Sequence, residues 1–408
     1  MLFSSNIFVF LFLPVSLVLY GIAPKKARNG VLFAMSLLFY AWGSGVFVLL
    51  LLLSILVNWA LALGIAQDRH GRCWLHVGIF YNLGLLIVFK YATFTHECLA
   101  WLAAPVGITL GTAPTIPLPI GISFFSFHAL TYLVEVFRCT STPLRSWIDV
   151  GMYISSFPQL IAGPIVRYSR ICNAIEQRST TMADVLVGGW RFSIGLAKKV
   201  LIADGLGVVV DRAFGLPSAE LGTAVAWLGA VCYALQIYYD FSGYSDMAVG
   251  LGRFFGLRLP ENFNQPYLAR NVRDFWRRWH MTLSEFFRDF VYIPLGGSRH
   301  GESRTYVNLI LVYALTGLWH GAAANFLVWG LWHGLFLLVD RRLGEPAKGL
   351  GGLPRRMQSL LAILLGWVWF RATSLEHAGS YLATMFGKAP GAFEFFALES
   401  LLTPRVFV

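Results

Sequence analysis

Long apolar segments recur along the whole chain, and they constrain its fold more than any other feature of the sequence. A helix needs about 20 apolar residues to cross the hydrocarbon of a bilayer, because each residue advances it by only about 1.5 Å. Such a helix also pairs its own backbone polar groups, which lipid cannot do. The clearest apolar segments are residues 7–22, 46–65, 77–88, 118–136 and 224–239. We therefore predict an all-α integral membrane protein, a polytopic bundle of about ten or eleven membrane segments.

The composition agrees with a membrane protein and sets the domain organisation. Only 13% of the 408 residues are charged and 57% are hydrophobic, whereas about a quarter of the residues of a soluble domain are charged. No repeat, low-complexity tract or long polar linker divides the sequence, so residues 1–408 are predicted to form a single domain. The five cysteines are odd in number and include no CxxC pair, so we expect neither a disulfide framework nor a metal site.

The net charge of +11 is explained by the membrane rather than by nucleic acid, because the basic residues fall mainly between apolar segments. No positive region precedes the first apolar segment and no small-residue cleavage site follows it, so we interpret it as a retained helix. The alternation of basic and uncharged loops places the N-terminus outside and the basic loops in the cytoplasm. The basic residues that set this orientation are Lys25, Lys26, Arg28, Arg69, Arg72, Arg138 and Arg145.

Residues 271–297 show the pattern of an amphipathic helix. At helical spacing, apolar and aromatic side chains share one face and basic and polar side chains share the other. The polar face carries Arg273, Arg277, His280, Ser284 and Arg288. Such a helix lies along the membrane surface or covers a polar cavity. Its arginines either bind an anionic ligand or meet lipid phosphates, and the pattern leaves both alternatives open.

The stretch LTGLWHGAAANFL, residues 315–327, places a histidine inside a long apolar region. The apolar arm before it, residues 307–318, is about 18 Å long as a helix and too short to cross the membrane alone. Gly317 and Gly321 can break the helix, so we predict a re-entrant hairpin with His320 at its tip. Irregular backbone at that depth requires surrounding protein or a water-filled cavity, so His320 is predicted to line a cavity.

Ionisable residues inside a membrane are costly and usually functional. His320 and His333 are about 140° apart around one helix, so a straight helix would not direct both to one site. The small neighbours of His320 leave room for a ligand, which favours a functional role. His333 shares a face with aromatic residues, which favours hydrogen-bonded packing.

A second polar insert, YYDFSGYSDM at residues 238–247, interrupts another apolar region. Asp240 and Asp246 are six residues apart and do not share a helix face. The insert is either a partly unwound element of a site, since Gly243 permits a break, or a structural hydrogen-bond network.

Several stretches together resemble the membrane-bound O-acyltransferase family, in its alginate O-acetylation branch. The two most specific are FWRRWHMTLSEFFRDFVYIPLGGSR at residues 275–299 and LTGLWHGAAANFLVWGLWHG at residues 315–334. Supporting stretches are SFPQLIAGPIVRY, GISFFSFHALTYLVEVFR, GLAKKVLIAD and YYDFSGYSDMAVG. The IPLGG segment separates the chain from the teichoic-acid D-alanylation branch. Family members continue with further membrane helices beyond an element like Trp367–Ala372, so a C-terminal truncation of this chain at Val408 is expected.

The resemblance implies a multi-helix membrane fold with re-entrant helices and a central tunnel. The family's essential histidine corresponds to His320, and its second signature position corresponds to His280. Acetyl-CoA is the implied acyl donor, taken up from the cytoplasm, and no bound cofactor is expected. The implied location is the bacterial inner membrane, with an exopolysaccharide such as alginate as the acceptor and a separate periplasmic acetyltransferase as partner.

This resemblance also gives the site residues their expected roles. A buried imidazole stays neutral and can accept a hydroxyl proton while a thioester is attacked, so His320 is predicted to be the catalytic base. His280 is expected to position or hydrogen-bond a reactant. Arg273, Arg277 and Arg288 are the candidates for binding the CoA phosphates. Asn325 and Asp240 complete the substrate-binding candidates. The competing interpretations are a polytopic transporter, for which the sequence lacks related halves, and a non-catalytic scaffold of a polysaccharide export complex.

Overall fold

The computed structural model describes residues 1–67, 70–347 and 349–388, and these residues form α-helices and no strands. The all-α fold class is thereby confirmed. Arg69 and residues 389–408 of the predicted domain lie outside the described residues. The helices are α1 Leu13–Ile22, α2 Arg28–Ser44, α3 Phe47–Gln67, α4 Gly71–Leu86, α5 Ala92–Ala103, α6 Ile122–Phe137, α7 Trp147–Ser155, α8 Phe157–Leu160, α9 Tyr168–Glu176, α10 Met182–Ala197, α11 Asp204–Gly215, α12 Thr223–Phe254, α13 Val272–Trp276, α14 Met281–Phe287, α15 Gly301–His320, α16 Ala324–Leu343, α17 Leu353–Arg371 and α18 Leu375–Met385.

The chain is arranged as two compact units. The first consists of Met1–Leu196 with Tyr244–Pro260, and the second of Ala197–Gly243 with Glu261–Val408. Helix α12 contributes residues to both units. It is continuous through Gly243, so the break that this glycine permitted does not occur and the insert at residues 238–247 is helical throughout.

Two helical segments among the described residues are long and apolar enough to cross a membrane, Phe47–Gln67 and Gly71–Val106. The second combines α4 and α5 through a π-helical turn at Ile87–Tyr91. Shorter apolar helices occur at Phe8–Ile22 and Ile122–Phe137. The predicted number of ten or eleven membrane segments stays a prediction.

In the first unit, α3 packs on α4, and both pack on α6. A pair of buried asparagines joins α3 to α4: the Asn82 Nδ2 donates to the Asn58 Oδ1 at 2.7 Å, and the Asn58 Nδ2 donates in return at 3.3 Å. Each amide also donates to a carbonyl of its own helix at 2.8 Å, Asn58 to Ser54 and Asn82 to Gly78, so both buried side chains are satisfied while they join the two helices. Gly78 allows α4 to pack closely against α6, since a Cβ atom at this position would overlap the Leu133 side chain of α6.

In the second unit, α15 and α16 form an antiparallel helical hairpin, against which α17 and α13 pack. The hairpin and the break at Gly321 agree with the sequence prediction, but the predicted length of the first arm is wrong. Helix α15 has 20 residues, about 30 Å, because the polar residues after Gly301 continue the helix. An arm of this length could cross the hydrocarbon, so the length argument for re-entry no longer applies.

Glycines set the distance between α15 and α16. A Cβ atom at Gly317 would overlap the Phe326 carbonyl, and one at Gly330 would overlap the Tyr313 carbonyl. Gly317 therefore lets α15 pack closely against α16. It is not the point where α15 ends. The chain leaves the helix at Gly321, whose backbone is extended.

Candidate active site

Residues 271–297 do not form the single amphipathic helix that their spacing predicts. Helix α13 ends at Trp276, and α14 begins at Met281. Between them His280 has a φ of +42°, a left-handed conformation that non-glycine residues rarely adopt. This break removes His280 from the basic face: its side chain is only 1% exposed, whereas Arg277 and Arg288 are exposed.

Asn262, eighteen residues earlier, holds this turn in place. Its backbone carbonyl accepts from the Met281 N–H at 3.0 Å. Its side-chain Oδ1 contacts the His280 Nδ1 at 3.1 Å and accepts from the Thr282 hydroxyl at 2.9 Å and the Thr282 N–H at 3.3 Å. Asn262 is itself only 1% exposed. Helical periodicity could not indicate this arrangement, because hydrogen bonds to a distant loop residue override the local preference for a continuous helix.

A cavity of about 210 Å³ lies beside His280. Its walls are mainly apolar and aromatic, and its polar side chains include Ser284, Arg288 and Thr316. The Nε2 of His280 has no hydrogen-bond partner within the described part of the chain. The cavity is lined by Trp276, His280, Leu283, Ser284, Phe287, Arg288, Tyr292, Leu309, Val312, Tyr313 and Thr316.

His320 is the last residue of α15 and is half-buried. It is not among the residues that line the cavity; the last lining residue on α15 is Thr316, four residues earlier. The imidazole packs edge-on against two aromatic rings, with centroid distances of 5.0 Å to Trp329 and 5.1 Å to Phe370. His320 therefore lies about one helical turn beyond the cavity-lining part of α15, and its predicted position on a cavity wall stays a prediction.

Trp319 lies next to both candidate histidines. Its ring centroid is 4.8 Å from that of His320 and 6.1 Å from that of His280. The structure thus brings the two histidines into one aromatic neighbourhood, although 40 residues separate them in the sequence. The family resemblance named both histidines, but neither their proximity nor the tryptophan between them was predicted.

His333 on α16 is fully buried among tryptophans, with ring centroids 5.0 Å from Trp276 and 5.2 Å from Trp329. The packing role predicted for it agrees with this position. The predicted hydrogen bonding does not, because neither ring nitrogen has a partner among the described residues. Gly366 on α17 makes room for the imidazole, since a Cβ there would lie 2.6 Å from its Nε2.

The three arginines predicted to bind phosphate have different surroundings. Arg288 lines the cavity and is held by Asp289, with Nε–Oδ1 and Nη2–Oδ2 distances of 2.6 and 3.0 Å. The Asp289 carboxylate raises the pKa of the Arg288 guanidinium. The Arg273 guanidinium lies 3.7 Å from the Glu345 carboxylate, and the backbone N–H of Arg273 donates to the Asp340 carboxylate. Arg277 is exposed, and of the three arginines Arg288 alone is among the residues that line this cavity.

A neighbouring carboxylate anchors the start of α13. Burial raises the pKa of Asp274, but hydrogen bonds from the Arg270 N–H and the Arg278 guanidinium outweigh burial and leave the pKa below its ordinary value. The ionised carboxylate therefore holds Arg270 and Arg278 in place beside α13.

Asn325 is occupied by a structural contact. Its side-chain amide donates to the carbonyls of Ala372 at 2.9 Å and Trp369 at 3.3 Å, at the C-terminal end of α17. These carbonyls belong to the last turn, which lacks partners inside the helix. The placement favours a role in fixing α17 to α16 over the substrate-binding role predicted for Asn325.

Asp240 belongs to an ion-pair network. The Lys199 Nζ lies 3.0 Å from the Asp240 Oδ1 and 2.8 Å from the Asp204 Oδ1. This geometry favours the structural network, one of the two interpretations of the insert at residues 238–247. Asp246 belongs to the first unit, where it pairs with Arg191 at 2.8 Å.

The comparisons with known proteins were consistent with each other. The model of the MBOAT, membrane-bound O-acyltransferase family, matches residues 136–344, which include His280 and His320. The chain is 41% identical to the "Probable alginate O-acetylase AlgI" of Azotobacter vinelandii, over 95% of this chain and 78% of that protein. It is 38% identical to the peptidoglycan O-acetyltransferase of Helicobacter pylori, over 95% and 80% of the two chains. The teichoic acid D-alanyltransferase of Bacillus subtilis is 31% identical, over 60% and 65%.

The identities to the two O-acetylating proteins extend over most of both chains, whereas the D-alanyltransferase matches a shorter part. This order agrees with the predicted resemblance to the alginate O-acetylation branch. The chain is an O-acyltransferase and a membrane protein, and it belongs to the membrane-bound O-acyltransferase family.

Proposed function

We propose that this chain moves acetyl groups from cytoplasmic acetyl-CoA across the bacterial inner membrane for the O-acetylation of an exopolysaccharide such as alginate. The names of its relatives support O-acetylation of a polysaccharide as the reaction. The structural observation that carries the proposal is the aromatic neighbourhood in which Trp319 contacts both His320 and His280, the second of which lines the cavity.

The proposed reaction transfers an acyl group from sulfur to oxygen. His320 accepts the proton of the acceptor hydroxyl as its oxygen attacks the thioester carbonyl. The carbon–sulfur bond then breaks, and the imidazolium returns the proton to the departing thiolate, so protons and electrons balance. Trp329 and Phe370 pack edge-on against the imidazole and restrict its orientation during the transfer.

The donor is proposed to bind with its acyl arm in the cavity and its phosphates near Arg288, because Arg288 lines the cavity. Arg273 and Arg277 are weaker candidates, since the first is near Glu345 and the second lies outside the lining. A periplasmic acetyltransferase of the polysaccharide O-acetylation machinery is the proposed partner. Membrane lipid surrounds the chain, and no cofactor is proposed to remain bound.

The test uses purified protein in lipid vesicles with acetyl-CoA and polysaccharide. We expect thioester consumption and acetylated glycan, both abolished in His320→Ala although the variant inserts and folds. A transporter would move its substrate without consuming the thioester, and a scaffold would do neither. Near-normal acetylation by the folded variant would reject His320 as the base. Alginate and peptidoglycan fragments compared as acceptors identify the polymer.

A further inference from the structure

The orientation of the Asn262 side chain is fixed by its neighbours. A backbone N–H can only donate a hydrogen bond, and the Thr282 N–H points to Asn262 at 3.3 Å. The atom that receives it is therefore the carbonyl oxygen Oδ1 and not the amide nitrogen. The Thr282 hydroxyl, at 2.9 Å, donates to the same oxygen.

This orientation determines which nitrogen of His280 carries the proton. The Oδ1 of Asn262 can only accept, so the His280 Nδ1 at 3.1 Å must be the donor. In a neutral imidazole the other nitrogen then has a lone pair and no proton. The Nε2 of His280 is thus a hydrogen-bond acceptor.

The unpaired acceptor Nε2 belongs to His280, which lines the cavity. His280 is 1% exposed, and its Nε2 has no partner within the described part of the chain. The residue also has a left-handed backbone, φ +42°, which is unfavourable for a residue with a Cβ atom because that atom approaches a backbone carbonyl. A buried, unpaired acceptor and a strained backbone at one residue are both unfavourable, and such features concentrate where a ligand binds.

We propose that Asn262 is a positioning residue: it fixes His280 as the Nδ1–H tautomer, so that Nε2 accepts a hydrogen bond from an O–H or N–H group of the reactant held in the cavity. The donor group is either the hydroxyl of the acceptor glycan or an amide of the acetyl-CoA arm. The inference rests on the proposed function for the identity of these reactants. It assigns the proton transfer to His320 and the orientation of the reactant to His280.

Three variants separate positioning from a structural role. Asn262→Leu removes the acceptor at similar volume, whereas Asn262→Asp keeps an oxygen that accepts from both His280 and Thr282. Thr282→Val removes one donor to Asn262 and leaves the His280 contact intact. The full chain is labelled with ¹⁵N-histidine in lipid vesicles, and the His280 signals are identified by their loss in His280→Gln. The KM for acetyl-CoA and the KM for the glycan are measured separately.

We expect an Nδ1–H signal for His280 in the wild type, in Asn262→Asp and in Thr282→Val, and a mixture of tautomers in Asn262→Leu. One of the two KM values should rise about five- to tenfold in Asn262→Leu, as the loss of one neutral hydrogen bond implies. A rise for acetyl-CoA identifies an amide donor, and a rise for the glycan identifies the hydroxyl. Asn262→Asp should keep both values within about twofold of the wild type, which a role limited to stability would not explain.

Two results would overturn the inference: a proton on Nε2 of the wild-type His280, or unchanged KM values in a folded Asn262→Leu variant. If that variant does not fold, the wild-type spectrum still decides the tautomer, and a several-fold change of both KM values in Asn262→Asp counts against the inference. If the wild type transfers no acetyl group, the proposed function fails, and the spectra alone decide the assignment of His280.

Discussion

Gly317 on α15 and Gly330 on α16 lie so close together that a Cβ atom on either would stand 3.2 Å from the Cα of the other. Both would also overlap a backbone carbonyl of the facing helix. Backbone atoms cannot move aside as a flexible side chain can, so the helical hairpin depends on these two glycines. Since His320 ends α15, the same contact sets the position of the proposed base relative to Trp329.

The first prediction is that Gly330→Ala lowers the stability of the folded protein by about 1–3 kcal/mol, because the added methyl group forces α15 and α16 apart. Thermal unfolding in detergent or vesicles measures the effect. The control is Gly379→Ala on α18, where a Cβ would meet nothing within 4 Å; it should be neutral or slightly stabilising. Equal melting temperatures for the two variants would contradict the close packing.

The second prediction concerns Asn325. Asn325→Leu and Asn325→Asp both remove the amide N–H groups that bond to the Trp369 and Ala372 carbonyls. Each should lower the free energy of unfolding by about 1–3 kcal/mol, since buried carbonyls lose their donors. The KM for acetyl-CoA should stay near the wild-type value. A rise in KM at unchanged stability would restore the substrate-binding role.

The third prediction tests the network around Lys199. Asp240→Asn alone should have a small effect on stability, because the Lys199 amine keeps its contact with Asp204 at 2.8 Å and these side chains are partly exposed. The double variant Asp204→Asn with Asp240→Asn removes both carboxylates and should lower the melting temperature by more than the two single changes together. Purely additive effects would argue against a shared network.

The fourth prediction compares two arginines of the same sequence segment. Arg288→Gln should weaken acetyl-CoA binding about three- to tenfold, because this guanidinium lines the cavity, whereas Arg277→Gln should change it less. Binding is measured at low and moderate salt with protein in uncharged lipid. Equal, negligible effects of both changes would favour the alternative in which the arginines meet lipid phosphates.

The sequence predicted the helical class, the hairpin and its break at Gly321, because apolar runs and glycines report directly on local structure. It missed the extent of α15, since the predicted arm counted only the apolar residues 307–318, although nothing in the polar residues from Gly301 to Tyr306 prevents a helix. It also missed the break at His280. The hydrogen bonds that stabilise this break are accepted by Asn262, eighteen residues before His280 in the chain. Helical periodicity carries no information about such distant partners.

The roles of individual polar residues were harder to predict than the fold. Asn325 was near His320 in sequence, but its partners follow 44 and 47 residues later, on and beyond α17. Asp240 likewise pairs with a lysine on another helical segment. Asn262 gave no signal at all, because a single asparagine in a loop has no periodicity and matches no motif.

The central claim is that the imidazole of His320 carries out acyl transfer while the buried His333 only packs. The most direct measurement is the rate of acetyl transfer from radiolabelled acetyl-CoA to glycan by vesicles that contain equal amounts of folded His320→Asn or His333→Asn protein. The account predicts no transfer above background for His320→Asn and a measurable rate for His333→Asn, reduced only in proportion to lost stability. Acetyl transfer by His320→Asn at the wild-type rate would contradict the account. So would a complete loss of transfer in a stably folded His333→Asn variant while His320→Asn keeps its activity.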